Sequence, residues 1–464
     1  MTSGPADVDV AVLGAGPAGL MAALTLARCG RSVVVLEQAA APGGMAASFS
    51  VAGVRVDHGS HRLHRSCAPE VLAVLTDLLG ADLQRRPRHG RIRLQGRWIG
   101  FPPRPLDVLR HLPPGFGARV ARDAVLAPAR RARRDTFAEV VRASLGPALA
   151  DGFYRPYVQK IWGVPPEELS GELARRRVGA RSGADLLRRL RRPDPDAGTF
   201  RYPKRGFGEI VERLAEAAVD AGADLRTRTR VTGVTPDGTV GCQTEGSDPG
   251  TVRARHAFST LPLPLLARLA DAPPDALGAA DALEHRALAL VYIVLPVRTF
   301  TAFDAHYLPE PDFLASRVSE PRNYRDAPDL DPPDRTVLCA EVPCSVGDDL
   351  WRAPADALAA RVLDDLARAG LPSPRPIHAE VRHVPHAYPV YRVGFEAAHE
   401  VLDRWVLGLD RVVSFGRQGL FAHDNTHHAL LTGLRAAEAL DASTFDRARW
   451  ERDRSEFRTH VVED

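Results

Sequence analysis

Three observations predict an α/β protein with a Rossmann-type nucleotide-binding domain, an inserted α+β domain and a helical insertion. Residues 8–37 read in order as apolar strand, glycine turn, helix, second apolar strand and acid. Strand patterns return at 224–259 and at 411–415, so the nucleotide-binding domain is expected to be assembled from separate pieces of chain. Between them, residues 102–190 show helical periodicity and little strand pattern, with Pro-Pro breaks at 102–103, 113–114 and 165–166.

The first unit carries its own chemistry. Val8 to Leu13 is a short apolar run, as a parallel strand covered on both faces requires. Gly14-Ala15-Gly16-Pro17-Ala18-Gly19 follows at once. Gly14 allows the tight turn, Gly16 lets main chain approach a pyrophosphate, and Gly19 lets helix and strand pack closely. The helix start offers free N–H groups and the positive end of its dipole to phosphates. Gly30 ends that helix, and Val33 to Leu36 leads into Glu37, placed to accept hydrogen bonds from a ribose, with Gln38 beside it. A βαβ unit that binds nothing is the alternative, and the ordered set of five features argues against it.

The remaining elements follow in order. Gly43-Gly44-Met45 is a loop whose glycines permit close approach of main chain to a large ligand. Residues 49–57 and 91–101 read as hairpins turning at Ala52-Gly53 and Gln95-Gly96, with a helix at 69–79 between them. After the helical stretch come a short extended segment at 200–203, an amphipathic helix at 208–221, and strands at 224–227, 229–235, 239–244, 251–253 and 256–259. Strands at 286–295, 336–342 and 380–384 alternate with helices at 356–369 and 395–403. The chain then gives a strand at 411–415, a Gly-Arg turn, a helix at 426–440 and a charged helix at 445–457. Residues 1–65, 201–285 and 411–441 are assigned to the nucleotide-binding domain, 66–200 to the helical insertion, 286–410 to the α+β domain and 442–464 to a C-terminal helix.

Composition bounds the function. A chain of 464 residues exceeds one ordinary core, and 45% apolar with 26% charged residues is the balance of a globular enzyme. A formal net charge of +3 calls for no nucleic-acid partner. The five cysteines (Cys29, Cys67, Cys242, Cys339, Cys344) are scattered without a CxxC pair, so neither a disulfide framework nor a cysteine metal site is expected. Residues before Val8 lack a basic n-region and no run of 18 apolar residues occurs, so no signal peptide, no transmembrane segment and a cytoplasmic location are expected. The run Arg130-Arg131-Ala132-Arg133-Arg134 fits a solvated helix end better than a peripheral membrane contact. GxSxG, HExxH and Walker sequences are absent, which argues against hydrolase, zincin and P-loop readings.

Several separated motifs together carry a resemblance. The order GAGPAG, Glu37, Pro42-Gly43-Gly44, Asp57-His58-Gly59-Ser60-His61, Tyr202-Pro203-Lys204-Arg205-Gly206-Phe207-Gly208 and a late Gly416-Arg417 turn before a helix resembles the FAD-dependent superfamily. That superfamily comprises flavin amine oxidases, protoporphyrinogen oxidases, phytoene desaturases and UDP-galactopyranose mutases. The resemblance implies a GR2-like FAD-binding domain and FAD as cofactor. It adds Met45, His58, Gly59, Ser60, Val231, Gly416, Arg417, Asn425 and Thr426 to the cofactor contacts, with the helix start after Asn425 facing the flavin or its ribityl chain. His61 beside the isoalloxazine is implied as a catalytic group, and His58 as a loop-shaping one.

Within the superfamily, the stretch from Phe153 to Arg181 is similar to the mutases, with Tyr157 and Trp162 at their spacing. The Arg-bearing hairpin at 91–102 is also mutase-like. Arg286 opens a strand where mutases keep an arginine on a diphosphate, and Arg177 or Arg181 matches the second such arginine. Arg suits the role because its planar fork binds phosphate through two hydrogen bonds. The late turn departs from the mutases, since Phe421, His423 and Asn425 stand where they carry two tyrosines and an aspartate. Tyr388-Pro389-Val390-Tyr391 reads as an aromatic loop before a helix, where the superfamily places substrate contacts, and His423 joins Tyr388 and Tyr391 as an implied substrate contact. No metal site is expected, because His427 and His428 are consecutive on a helix and do not face one another.

The resemblance therefore implies an FAD-dependent oxidoreductase of the protoporphyrinogen oxidase or amine oxidase type, taking hydride from a sugar-like or anionic small molecule. The alternative is a non-redox nucleotide-sugar mutase that uses reduced FAD. No second GxGxxG unit is present for a built-in NAD(P)H domain, and the sequence gives no oligomeric state.

Overall fold

A computed structural model describes residues 7–101, 110–126, 135–178, 198–441 and 444–462. Two seven-stranded sheets organise it. In the first, the Val8–Leu13 strand lies between the parallel strands Val33–Leu36 and Gly250–Ser259. Asp224–Arg226 extends the sheet beyond the former and Val412–Ser414 beyond the latter, both parallel. This sheet thus draws strands from three distant stretches of chain. The Pro17–Arg28 helix covers one face and packs against the Thr426–Glu438 helix at very close range, where a Cβ on Gly433 would come within 2.1 Å of the Ala18 carbonyl oxygen.

The second sheet runs in the order His378–Val390, Glu284–Leu295, Thr336–Cys344, Arg317–Ser319, Ala305–Tyr307, Gly90–Leu94, Arg97–Phe101. Glu284–Leu295 is buried on both faces, which accounts for its unbroken apolar run. One face packs on Leu358, Val362 and Leu366 of the Ala355–Arg368 helix, and the other packs through Leu290, Tyr292 and Val294 on Val51, Val54 and Val56. Both predicted hairpin turns are present, with Ala52 (φ 49°) and Gln95 (φ 54°) taking the left-handed backbone that such turns demand. The helical insertion includes Phe137–Leu145, Arg155–Trp162 and Gly171–Arg177, which share a core with Ala11 and Leu13 of the first strand.

Among the differences from the sequence expectation, three bear on the sheets that frame the site. The Arg91–Phe101 hairpin, assigned with the helical insertion, completes the edge of the second sheet. The strands expected at 251–253 and 256–259 are one strand, Gly250–Ser259, whose first half pairs antiparallel with Thr239–Thr244 and whose second half enters the parallel sheet. The strand expected at 380–384 runs on to Val390. Pro385 and Pro389 mark an end in sequence, but an edge strand tolerates proline because one side of its ladder is unpaired. Tyr388 therefore sits on a strand, not in a loop. Among the described residues no helix is long and apolar enough to cross a membrane.

Candidate functional site

The glycine turn forms a cradle whose three glycines do different jobs. Gly14 (φ +101°) presses on Thr260, whose Oγ1 would lie 2.5 Å from a Cβ there. A Cβ on Gly19 would meet the Gly14 carbonyl oxygen at 2.0 Å. Gly16 differs, because a Cβ built there meets nothing within 4 Å. Across that open space stands Gly44 (φ +53°), whose own Cβ would lie 3.4 Å from Gly16 Cα, and Gly43 N–H donates to the Ala15 carbonyl at 2.7 Å. Pro17 and Ala18 begin the helix at this floor. The late turn closes over it: a Cβ on Gly416 would lie 2.9 Å from Ala18 Cβ, and Gln418 Nε2 reaches Met45 Sδ at 3.9 Å.

Glu37 is buried at the end of its strand, with its carboxylate accepting N–H donors from Ala15 and Ala39, both at 2.8 Å. Each oxygen keeps a lone pair for a further donor. Gln38 is exposed, and Val231 lies two residues past Thr229, whose N–H donates to the Glu37 carbonyl at 2.8 Å. Asn425 is the N-cap of the Thr426–Glu438 helix, so the free N–H groups of that first turn start at Thr426. Gly14, Gly16, Gly19, Gly43, Gly44 and Glu37 thus lie together at the end of the first strand, and the room a Cβ would have at Gly16 suits close approach of a pyrophosphate.

The segment from Asp57 to His61 is held from three sides. The buried Asp57 carboxylate accepts from Ser48 Oγ (2.5 Å), from Phe207 N–H (3.0 Å) and from the Tyr202 hydroxyl, while its carbonyl accepts from Tyr292 Oη at 2.7 Å. This bonding explains the Tyr202–Gly208 motif, which docks onto Asp57. Ser60 is gripped at both main-chain groups: its N–H donates to Glu341 Oε1 at 2.8 Å and its carbonyl accepts from Arg317 at 3.2 Å. Arg317 and Glu341 are themselves a two-pronged ion pair at 2.7 and 2.9 Å. His58 Nδ1 donates to the Ala47 carbonyl at 3.1 Å, and burial lowers its pKa. His61 stacks on Phe207 at 5.2 Å, and among the described residues its Nδ1 has no hydrogen-bond partner. Burial brings the His61 pKa down to about 4, with Asp57 opposing, so the ring is neutral at neutral pH and open to a hydrogen bond.

A cationic cluster centres on Tyr388. Arg286 is its register partner on the adjacent strand. The Arg286 guanidinium lies over Gly163, where a Cβ would be 2.9 Å from Cζ, and it donates to Ser345 Oγ. Trp162 approaches the Tyr388 ring at 6.2 Å, the Arg177 guanidinium lies 5.4 Å from it and that of Arg417 5.5 Å. Arg177 also lies 5.2 Å from the Trp162 ring. Among the described residues Arg177, Arg286 and Arg417 make no ion pair, and burial lowers the pKa of Arg286 and Arg417. Arg417 donates to the Asp424 and Ala387 carbonyls, whereas arginines that lack a carboxylate partner, as Arg177 and Arg286 do among the described residues, are suited to an anion.

Two predicted substrate residues are placed otherwise. Tyr391 is 3% exposed, donates its hydroxyl to the Phe421 carbonyl at 2.7 Å and stacks on Phe395 at 4.0 Å, so it is a core residue. His423 is also buried, edge-on to Tyr391 (4.8 Å) and Trp162 (5.9 Å), with a pKa driven well down by burial. It backs the cluster instead of entering it. Tyr157 stacks on Phe153 at 5.5 Å, five positions before Trp162 and so on a different face of their helix. Arg181 and the Arg130–Arg134 run lie outside the described residues.

Sequence reasoning missed Arg317, Glu341, Thr260 and Tyr324, the last bonded through its hydroxyl to Ser60 Oγ. Glu341 alone leaves a trace, an acid inside the apolar run TVLCAEVPC. Nothing near Arg317 in sequence marks it.

The profile of the family described as flavin containing amine oxidoreductase matches residues 17–441. Putrescine oxidase from Kocuria rosea is 45% identical over 82 residues, 18% of this chain and 17% of that protein. The chain spans less than two thirds of that and of the other curated relatives it matches. Among solved structures, reduced UDP-galactopyranose mutase superposes with a TM-score of 0.81 at 21% identity, covering 98% of this chain and all of that one. Putrescine oxidase bound to putrescine gives 0.64 at 18% identity over 93% of this chain and 98% of that one. These structural likenesses establish the fold.

Proposed function

The chain belongs to the flavin-containing amine oxidoreductase family, and from that premise we propose that it is an FAD-dependent oxidoreductase acting on an anionic, sugar-like small molecule. The observation that carries the substrate class is that Arg177 and Arg417 flank the Tyr388 ring while Arg286 lies over Gly163 beside Trp162, none of the three ion-paired among the described residues. An amine substrate is a cation and is repelled there, whereas a phosphate or carboxylate is drawn in. Gly14, Gly16, Gly19, Gly43, Gly44 and Glu37 would hold the adenine half of FAD, and the Asp57–His61 segment, the Gly416-Arg417 turn and the helix start at Thr426 the flavin half.

Bound FAD supplies the hydride acceptor, and the chain's residues orient the substrate and manage its protons. Arg177 and Arg286 fix the anionic end while Trp162 and Tyr388 wall the site. Neutral His61, with its free Nδ1, accepts the proton of a substrate hydroxyl. Arg317 and Glu341 hold Ser60, and through it His61, in place.

The same residues favour a second reading, a nucleotide-sugar mutase using reduced FAD, since Trp162, Arg177 and Arg286 stand together as a diphosphate would need. One anaerobic experiment separates the two. Phosphorylated and carboxylated sugars, nucleotide sugars and diamines are each added to oxidised protein while flavin absorbance is followed. Bleaching by an anionic substrate supports the oxidoreductase. Turnover only after chemical reduction, with no net redox change, supports the mutase. Bleaching by diamines alone would overturn the anionic assignment.

A further inference from the structure

We propose that Asp424, His428 and His460 bind one divalent transition-metal ion, zinc or a close neighbour in its chemistry, which pins the C-terminal segment to the turn entering the Thr426–Glu438 helix. Sequence pairs His428 with His427. Contrary to the expectation that consecutive helix residues stay apart, their rings lie 4.0 Å from each other, and the fold adds Asp424, four residues back, and His460, beyond the final Arg447–Phe457 helix.

One ligand atom from each of the three lies within 4.8 Å of the others. His460 Nδ1 is 3.2 Å and His428 Nδ1 3.7 Å from the same Asp424 Oδ1. Ligands bonded to zinc at its usual lengths stand about 3.3 Å apart in a tetrahedron, so only small movements are required.

The cluster's own hydrogen bonds, with His460 Nδ1 donating to Asp424 Oδ1 at 3.2 Å, leave one buried atom over. Asp424 is only 3% exposed, yet among the described residues its Oδ2 has no hydrogen bond. Asn425 N–H donates to His428 Nδ1 at 3.2 Å, which makes that nitrogen an unprotonated acceptor. That nitrogen stands 3.7 Å from Asp424 Oδ1, too far for a hydrogen bond between them and near enough for one cation to bind both. The nearby Arg176 does not serve as that cation, since its guanidinium is bonded to Glu172 (2.8 Å) and to the Arg458 carbonyl (3.0 Å). The stacked rings of His428 and His460, 4.1 Å apart and inclined by 14°, present edges to one side. A small rotation of His428 away from Asn425 N–H brings its lone pair to the ion. Two imidazoles and one carboxylate select a first-row ion such as Zn²⁺ or Co²⁺ over Ca²⁺ or Mg²⁺ and leave a position for water.

An occupied site stiffens the flavin-side turn, because the Asp424 carbonyl also accepts from Arg417 at 3.2 Å. The test uses the full-length, FAD-loaded protein stripped with chelator and dialysed. It is titrated with CoCl2, read by visible d–d absorption, and with ZnCl2, read by thermal unfolding and elemental analysis. The expected result is about one ion per chain with a raised unfolding temperature, and a loss of about 10- to 100-fold or more in affinity in H460Q and H428Q. Retention of flavin and circular dichroism by H460Q, which alters only the C-terminal segment, shows that it has folded. Failure of the wild type to take up either ion stoichiometrically overturns the proposal. So does uptake by folded H460Q that matches the wild type.

Discussion

Replacing Gly16 and Gly19 separately by alanine is predicted to split folding from cofactor binding. At Gly19 the new Cβ falls 2.0 Å from the Gly14 carbonyl oxygen and 3.2 Å from Val12 Cγ1. The first of these is main chain and cannot rotate aside. Overpacking of that kind costs about 3 kcal/mol, and alanine returns about 1 kcal/mol of helix propensity, so Gly19→Ala should lose about 2 kcal/mol of stability. At Gly16 the Cβ meets no protein atom within 4 Å, so the apo-protein loses only the N-cap difference between glycine and alanine, about 0.5–1 kcal/mol. The methyl does occupy the space assigned to the pyrophosphate, and a clash worth about 1.4–2.8 kcal/mol weakens FAD 10- to 100-fold. Urea unfolding of the apo-proteins gives the first quantity, and quenching of flavin fluorescence on titration gives the second. A folded Gly16→Ala protein that binds FAD as tightly as the wild type would refute the assignment of that space.

Other perturbations test the rest of the site. Glu341→Ala leaves Arg317 buried without its partner and frees Ser60, so a loss of about 3–5 kcal/mol is expected in denaturant melts, with Glu341→Gln milder. Arg177→Ala should raise KM for an anionic substrate about tenfold or more with little change in FAD affinity, and added salt should shrink the difference; equal KM values would count against the anion site. Gly163→Ala places its Cβ 2.9 Å from Arg286 Cζ and should mimic loss of Arg286 in substrate-binding assays. Acid should destabilise the protein before most carboxylates titrate. Burial lowers His61 to about 4 and His285 and His306 to about 3, from an ordinary 6.5. The unfolded chain then binds protons that the folded one refuses, so stability is complete above about pH 6.5 and declines as pH falls toward 4 and 3. A urea midpoint flat from pH 7 to 4.5 contradicts that sign.

What the sequence made legible follows the range of each interaction. The glycine turn, Glu37 and the two hairpins are local, because each is a backbone requirement answered within a few residues by Gly, an acid or a turn pair. The buried Glu284–Leu295 strand is legible for a similar reason, since covering both faces leaves a continuous apolar run. The Tyr388 cluster is different. Arg177, Tyr388 and Arg417 meet only because a helix after Trp162, an edge strand and the late Gly-Arg turn converge, with Arg286 on the adjacent central strand, and none of those contacts leaves a periodic mark. Tyr388 read as a loop residue because flanking prolines usually end strands, and whether a strand is an edge is a property of the whole sheet. Tyr391, three positions on, carries the same side chain yet donates inward to Phe421, so residue type could not separate the pair. Asp57 shows the same limit from the other side: the motif containing it was visible, but its role was not, since its partners Ser48, Tyr202, Phe207 and Tyr292 come from three other segments. A site assembled this way depends on a few buried polar anchors, Asp57 and the Arg317–Glu341 pair, that touch no part of the nucleotide fingerprint. Substitutions at those anchors should therefore move the Asp57–His61 loop, proposed to face the flavin, while leaving the Gly14–Gly19 turn intact, which separates the two proposed halves of the cofactor site experimentally as well as in the chain.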